Sequence, residues 1–201
     1  MSFLILVRHG QSIWNLEKRF TGWVDVDLTD RGRAEAEKAG LLIKKKNIEI
    51  HYYYTSLQLR VNNTLKIIQK VLNDKKKFSR AWQLNERHYG ALTGLNKIEM
   101  SNKIGEDKVY EVRRSWDIKP EPLSKKNPYH PVNIETYNNM AKEDLPDTES
   151  LKDTYERVTK YFGEEIEKKL EANNILISAH GNSIRALCKS LFNLDNNQIS
   201  N

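Results

Sequence analysis

The sequence predicts an α/β fold in which a mostly parallel β-sheet is flanked by helices. Two short apolar runs, Phe3 to Val7 and Ile175 to Ile177, each lead into a His-Gly pair. A continuous apolar run of this kind is typical of a parallel strand that is buried on both faces. The segments between the two runs have helical periodicity, and strands alternating with helices are expected for this class. A chain of 201 residues is expected to form one domain, residues 1–201.

The two His-Gly pairs are the strongest candidates for a functional site. His9 follows Arg8 at the end of the first run, and His180 follows the second run. Ligands of open α/β sheets bind at the carboxyl ends of the strands, so we expect both histidines to converge there. Histidine can act as a nucleophile or an acid, and arginine can bind two oxygens of a phosphate. A single strand-end histidine is more often a structural group, but a second copy favours a site.

The remaining elements follow from periodicity and from turn residues. Thr29 or Asp30 is expected to cap a helix. Three adjacent tyrosines at 52–54 favour an edge strand or an interface. All five prolines lie between residues 120 and 146, so a long ordered excursion over the active-site face is predicted at 118–147. Three helices are predicted at residues 29–46, 57–72 and 151–171. Two short helical pieces are predicted within 98–117, and a last helix is predicted to begin at Asn182. The predicted middle strand spans residues 48–55.

Composition and charge argue against several classes of protein. No apolar stretch approaches the roughly 18 residues of a membrane-spanning helix, so no membrane partner is expected. The net charge of +6 suits nucleic acid or a small polyanion, and the lack of a nucleic-acid motif favours the polyanion. Cys188 is the only cysteine, which excludes an internal disulfide and fits a cytoplasmic protein. The sequence has no HExxH or CxxC motif, so no metal site is expected.

Several longer motifs resemble one group of enzymes. The first is RHGxSxWN at residues 8–15, and the last is AHGNS at residues 179–183. These two motifs, together with the five given in the next sentence, resemble motifs of the histidine phosphatase superfamily and, within it, of the cofactor-dependent phosphoglycerate mutases. The other motifs are TGW at 21–23, TSxxxRxxxT at 55–64, LNERHYGALTGLNK at 84–97, RRSWD at 113–117 and TESLKDT at 148–154.

The resemblance implies phosphoryl transfer through a phosphohistidine on His9. His180, Arg8 and Arg60 would balance the charge of the phosphoryl group, and Glu86 would pass a proton to or from the substrate hydroxyl. The priming phosphate donor would be 2,3-bisphosphoglycerate, with no metal required. The partners would be small phosphorylated three-carbon acids and a second copy of the chain in a homodimer. The implied substrate-binding residues are Arg8, Ser12, Asn15, Thr21, Gly22, Arg60, Glu86, Arg87, His88, Tyr89, Lys97, Arg113, Arg114, Gly181 and Asn182.

The implied activity is that of an isomerase of glycolysis and gluconeogenesis, which interconverts 3-phosphoglycerate and 2-phosphoglycerate through a 2,3-bisphosphoglycerate intermediate. Three alternatives remain at this stage. A bisphosphoglycerate mutase typically differs near position 21, so Gly22 argues against it. A phosphatase would hydrolyse the phosphohistidine; the proline-rich excursion argues against this activity. The family's C-terminal strand and tail are absent from residues 1–201, which favours a phosphatase or an inactive binding protein.

Overall fold

The computed structural model describes residues 2–200, and its centre is a four-stranded sheet with the order β1-β4-β2-β3. Every neighbouring pair of strands is parallel. This architecture confirms the predicted α/β class with a parallel sheet. The strands are β1 (Leu4–Arg8), β2 (Tyr52–Thr55), β3 (Phe78–Arg80) and β4 (Ile175–Ala179).

The pairing of β1 with β4 brings the two His-Gly sequences to one place. The register runs from Leu4 opposite Ile175 to Arg8 opposite Ala179. The backbone N–H of His9 then donates to the carbonyl of Ala179 at 3.1 Å. The two strands therefore end at the same level, and their histidines lie side by side at the carboxyl edge of the sheet.

The tyrosine-rich strand β2 lies inside the sheet, between β4 and β3, so the prediction of an edge strand is wrong. Tyr53 and Tyr54 are buried, whereas Tyr52 is 41% exposed. The Tyr53 hydroxyl donates to Asp74 Oδ2 at 2.8 Å, and the Tyr54 hydroxyl donates to the carbonyl of Glu165 at 3.3 Å. Because both hydroxyls find acceptors, the rings can be buried without leaving a polar group unpaired.

Helices cover both faces of the sheet. Alternate residues of β4 face opposite sides: Leu176 packs in the cluster formed with α2 and α3, and Ile177 packs in the cluster formed with α6 and α8. A π-helical turn, Phe162–Ile166, continues α6 into α7. The part of the chain described by the structure has no helix long and apolar enough to cross a membrane. The helices are α1 (Ile13–Leu16), α2 (Asp30–Lys45), α3 (Leu59–Leu72), α4 (Lys97–Ile104), α5 (Glu106–Arg114), α6 (Leu151–Tyr161), α7 (Glu167–Leu170), α8 (Gly181–Leu191) and α9 (Asn196–Ser200).

The proline-rich segment at 118–147 contains three short 3₁₀ turns. It packs against the loop between β1 and α2. The Tyr137 hydroxyl donates to the carbonyl of Trp23 at 2.5 Å, and Tyr129 meets the Trp14 ring edge-on with centroids 5.1 Å apart. The excursion thereby fixes a loop that the sequence analysis placed in the site.

The segment after β1 lies directly on the first turn of α2. Thr29 caps this helix, as predicted, by accepting from the N–H of Gly32 at 3.1 Å. A Cβ on Gly10 would overlap the carbonyl of Gly32, and a Cβ on Gly32 would overlap the carbonyl of Gln11. Neither position has room for a side chain, because the obstructing atoms belong to the backbone.

We expect Gly10→Ala to lower the free energy of unfolding by about 2–4 kcal/mol, because the backbone next to His9 must move to accept a methyl group. Gly163→Ala is the control. A Cβ at Gly163 meets its nearest atom, Glu167 Oε2, at the ordinary contact distance of 3.7 Å. Replacing this glycine lowers the conformational entropy of the unfolded chain and should stabilise the fold by up to about 1 kcal/mol. Urea denaturation measures both. Equal midpoints for Gly10→Ala and the wild type would show that this contact does not constrain the fold.

Candidate active site

A cavity of about 440 Å³ opens at the carboxyl ends of β1 and β4. Most of the residues predicted for the site border it. Ser12, Arg87, His88 and His180 do not, and Arg185, which was not predicted, does. The lining consists of Arg8, His9, Asn15, Thr21, Gly22, Arg60, Glu86, Tyr89, Lys97, Arg113, Arg114, Gly181, Asn182 and Arg185.

One ring nitrogen of His9 is fixed by a hydrogen bond, and the other has no hydrogen-bond partner within residues 2–200. Its Nδ1 lies 2.7 Å from the carbonyl oxygen of Gly10. A carbonyl can only accept, so Nδ1 carries the proton and Nε2 keeps its lone pair. Burial lowers the pKa of His9 well below its usual value, and the nearby cations Arg60 and Arg8 lower it further. The imidazole is therefore neutral at physiological pH, as a nucleophile must be.

His180 lies directly against His9 and does not border the cavity. The ring centroids are 5.1 Å apart, with an angle of 65° between the planes. His180 has no exposed surface, and its Nε2 lies 2.9 Å from Ser56 Oγ. Burial, followed by the charge of Arg60, lowers the pKa of His180 well below its usual value. The convergence of the two histidines that the sequence predicted is thus present, and Ser56 is a contact that the sequence analysis missed.

Arg60 is both a cavity residue and a structural group. It lies in the first turn of α3, and it is only 1% exposed. Its guanidinium donates to the carbonyl of Val24 at 3.0 Å and to the carbonyl of Gly22 at 2.9 Å. Those bonds hold the loop that also carries Thr21. The positive φ of Gly22, +51°, lets the backbone turn at this point.

Glu86 also borders the cavity. Its Oε1 accepts from the N–H of Arg87 at 2.8 Å and from Asn182 Nδ2 at 2.8 Å. Asn182 Nδ2 also lies 3.1 Å from the hydroxyl of Tyr89. Asn182 is in the first turn of α8, so the helix that begins after His180 positions the carboxylate.

The segment that carries Glu86 is held from behind by a buried ion pair. Arg157 Nε lies 2.7 Å from Glu149 Oε1, and both side chains are more than 90% buried. Arg157 also donates to the carbonyls of Gln83, Asn85 and Glu86 at 2.6–3.0 Å. The sequence analysis found Glu149 within a motif but gave Arg157 no role. The only indication of this role in the sequence is the position of Arg157, about two helical turns after Glu149.

The wall formed by α4 and α5 carries cations. Lys97 begins α4, and Arg113 and Arg114 end α5. Within residues 2–200 none of the three side chains has a carboxylate within ion-pairing distance. Burial, together with Arg113, lowers the pKa of Lys97 to about 8. These cations need an anion that the described part of the protein does not supply.

Asn15, Thr21 and Gly181 complete the polar lining. Asn15 Oδ1 also accepts from the N–H of Ser12, and the N–H of Asn15 donates to Ser12 Oγ, the cap of α1. In the described residues Thr21 Oγ1 is buried without a hydrogen-bond partner. Thr21 therefore offers an unused hydroxyl to a ligand.

Ser12, Arg87 and His88 have no exposed surface. Ser12 caps α1, Arg87 donates to the carbonyls of Val112 and Arg113, and His88 Nδ1 accepts from the N–H of Gly90. This corrects the expectation that these three side chains contact substrate, because each lies behind the wall and supports residues that border the cavity.

The proline-rich excursion does not cover the cavity either, since none of residues 118–147 borders it. This corrects the expectation that the excursion lies over the site. Its anchors, Tyr137 and Tyr129, attach it to the far side of the loop at 14–23. It shapes the site through that loop.

Six cations and one carboxylate, Glu86, border the cavity. An excess of positive charge in a partly enclosed cavity attracts polyanions, and arginines bind phosphate and carboxylate groups by paired hydrogen bonds. In the part of the chain that the structure describes, no three histidine, cysteine or acidic residues cluster as metal ligands would. The arrangement suits transfer of a phosphoryl group to a neutral histidine, and from the resulting phosphohistidine to a hydroxyl near Glu86.

Comparison with known proteins agrees with this geometry. A family model for the histidine phosphatase superfamily, branch 1, matches residues 4–132 and 123–201. A 2,3-bisphosphoglycerate-dependent phosphoglycerate mutase of Pelagibacter ubique is 67% identical over 201 residues, which is 100% of this chain and 84% of that protein. The mutase of the same name from Borreliella burgdorferi strain ZS7 is 47% identical and covers 98% of this chain and 80% of its own length.

The chain belongs to the histidine phosphatase superfamily and, within it, to the family of 2,3-bisphosphoglycerate-dependent phosphoglycerate mutases. The family assignment made from the motifs is thus confirmed. Solved structures share the fold. Mycobacterial hydrolase 1 has a TM-score of 0.73 at 20% identity, covering 98% of this chain and 81% of its own. Bacillus stearothermophilus YhfR has a TM-score of 0.73 at 22% identity, covering 99% and 84%.

We expect Arg60→Ala to lower the free energy of unfolding by about 2–4 kcal/mol, because two buried carbonyls lose a charged donor. Arg8→Ala is the matched control. Arg8 borders the same cavity, but its side chain is exposed, so its removal should change stability by less than about 0.5 kcal/mol. Urea denaturation in the absence of ligand measures the free energy of unfolding of both variants. A similar loss in the two variants would remove the structural role of Arg60.

Proposed function

We propose that this protein is a phosphoglycerate mutase that interconverts 3-phosphoglycerate and 2-phosphoglycerate through a phosphohistidine on His9. One observation carries the proposal: a neutral histidine, fixed through Nδ1, borders a cavity that is lined by one carboxylate and by cations that form no ion pair within residues 2–200. The names of relatives at 67% and 47% identity support it.

His9 supplies the nucleophile. Its Nε2 attacks the phosphorus of a bound phosphate group, and the Gly10 carbonyl keeps the proton on Nδ1. Arg8 and Arg60 balance the charge of the phosphoryl oxygens, and His180 supports the His9 ring from behind. The reverse transfer to a substrate hydroxyl regenerates the neutral imidazole.

Glu86 supplies the general acid and base. When His9 takes a phosphoryl group, Glu86 gives a proton to the departing alkoxide; when His9 returns the group, Glu86 accepts the hydroxyl proton. Its Oε1 is held by Asn182 and Arg87, while its neighbours in the lining are polar. The same carboxyl therefore serves both half-reactions.

The cations of α4 and α5 hold the acidic groups that do not react. Lys97, Arg113 and Arg114 border the same cavity as His9, and they can bind a carboxylate and a second phosphate. Retaining the intermediate while it reorients lets either of its phosphates reach His9. Interconversion of the two phosphoglycerates follows from that exchange.

The proposal includes dependence on 2,3-bisphosphoglycerate. The residues present fit this compound, because six cations and the unpaired Thr21 hydroxyl match a molecule with two phosphates and one carboxylate. When bound, it supplies the phosphoryl group that primes His9. The arginines and Lys97 provide positive charge of the kind that a divalent cation provides in other phosphoryl transfers, so the proposal requires no metal.

The alternatives have less support. Gly22 is present in the lining, and the relatives' names specify a mutase, which argues against a bisphosphoglycerate mutase, a phosphatase and an inactive binding protein. We also propose a homodimer in the cytoplasm, organised as one domain. The 41% exposure of Tyr52 on the tyrosine-rich strand is compatible with an interface there.

The direct test is production of 2-phosphoglycerate from 3-phosphoglycerate, coupled to enolase, after priming with 2,3-bisphosphoglycerate. We expect turnover in the wild type, none in His9→Gln, and a loss of about 100-fold or more in Glu86→Gln. Release of inorganic phosphate without 2-phosphoglycerate would instead identify a phosphatase. Unchanged turnover in His9→Gln would exclude the phosphohistidine mechanism.

The pKa of Lys97, about 8, predicts a pH dependence of substrate binding. An anion favours the charged lysine, so the KM for 3-phosphoglycerate should rise above pH 8, by up to about ten-fold per pH unit. The phosphate group is fully ionised in this range and adds no slope. Lys97→Arg, which stays charged, should flatten the profile. The same slope in both proteins would assign the titration to another group.

A further inference from the structure

Arg185 is the cavity residue that the motifs did not reveal. It lies in α8, four residues after Gly181, and residues at this spacing share one face of a helix. It borders the cavity together with Gly181, and the side chain is partly buried. Throughout residues 2–200 its buried Nη1 has no hydrogen-bond partner. A helix arginine without a function usually extends into solvent or pairs with a carboxylate, and Arg185 does neither.

The charges around Arg185 leave it short of an anion. Arg114 and Arg87 are near enough to disfavour its charge, and burial disfavours it more strongly, so the pKa of Arg185 is lowered. Glu86 and Tyr89 compensate only in part. Arginine nevertheless remains charged in proteins. Its position is therefore unfavourable in the free protein and becomes favourable when an anionic group enters the cavity.

Arg185 borders the cavity near the arginines Arg114 and Arg87. The cations that lower the pKa of His9 are Arg60 and Arg8. Those that lower the pKa of Arg185 are Arg114 and Arg87. No guanidinium group is common to these two sets.

We infer that Arg185 is a further substrate-binding residue, which holds the phosphate or carboxylate that lies away from His9 and so retains the bisphosphorylated intermediate. The inference rests on the proposed function and deepens it. Its chemical basis is the paired hydrogen bonding of a guanidinium to an oxyanion, with Nη1 as the donor that lacks a partner.

The test compares two kinds of phosphoryl donor in the full-length protein. Phosphoramidate has no acidic group besides the phosphoryl group that it transfers, whereas 2,3-bisphosphoglycerate has a second phosphate and a carboxylate. For Arg185→Gln we expect the priming concentration of 2,3-bisphosphoglycerate and the KM for 3-phosphoglycerate to rise about ten-fold or more, while phosphorylation of His9 by phosphoramidate stays within about two-fold. Arg185→Lys keeps a charge without the paired donors and should lie between the wild type and Arg185→Gln.

Arg80→Gln is the matched control, because it removes one positive charge from an exposed residue at the end of β3. An equal effect in Arg80→Gln would mean a general charge effect and overturn the inference. Equal loss with both donors in Arg185→Gln would assign Arg185 a structural role, and unchanged kinetics with both would exclude a contact with substrate. If neither donor phosphorylates the wild type, the proposed function itself fails; a phosphorylated wild type with unchanged Arg185→Gln kinetics overturns this inference alone.

Discussion

The in-register pairing of β1 with β4 is the constraint on which the site depends. The ladder continues one bond beyond the strands, from the N–H of His9 to the carbonyl of Ala179. A slip of one residue would turn each apolar side chain to the opposite face and separate the histidines. The slip is prevented by burial of every residue of β4 and by the contact between Gly10 and Gly32, which leaves no space for movement.

That arrangement concentrates positive charge, and the concentration opposes folding. Six positively charged side chains border one cavity, where they repel one another, and one of them, Arg60, is also buried. Active sites commonly sacrifice stability in this way, and binding of a ligand to the folded state restores it by mass action. The buried pair of Arg157 and Glu149 holds the neighbouring segment through contacts within the protein. The opposing charges are thus placed behind the site, where they cannot neutralise the cations that a substrate needs.

Much of this could be predicted from sequence, because apolar runs and the cap at Thr29 are local signals. The failures have a common physical origin in contacts between distant segments. Tyr54 is buried in an interior strand because its hydroxyl reaches the carbonyl of Glu165, 111 residues away. Strand β3, only three residues long and largely exposed, has no apolar run to reveal it. The excursion turns away from the cavity because Tyr137 finds a carbonyl at Trp23.

The arginines show the same limit most clearly. Arg60, Arg87 and Arg157 donate to backbone carbonyls, so they hold loops in place. Arg114 and Arg185 border the cavity without such bonds in the described part of the chain. A guanidinium that is already positioned but has no partner can bind an oxyanion without first breaking protein contacts, which is the basis of electrostatic preorganisation. Because the deciding partners are backbone atoms of remote segments, residue type alone cannot separate the arginines that build the site from those that serve it.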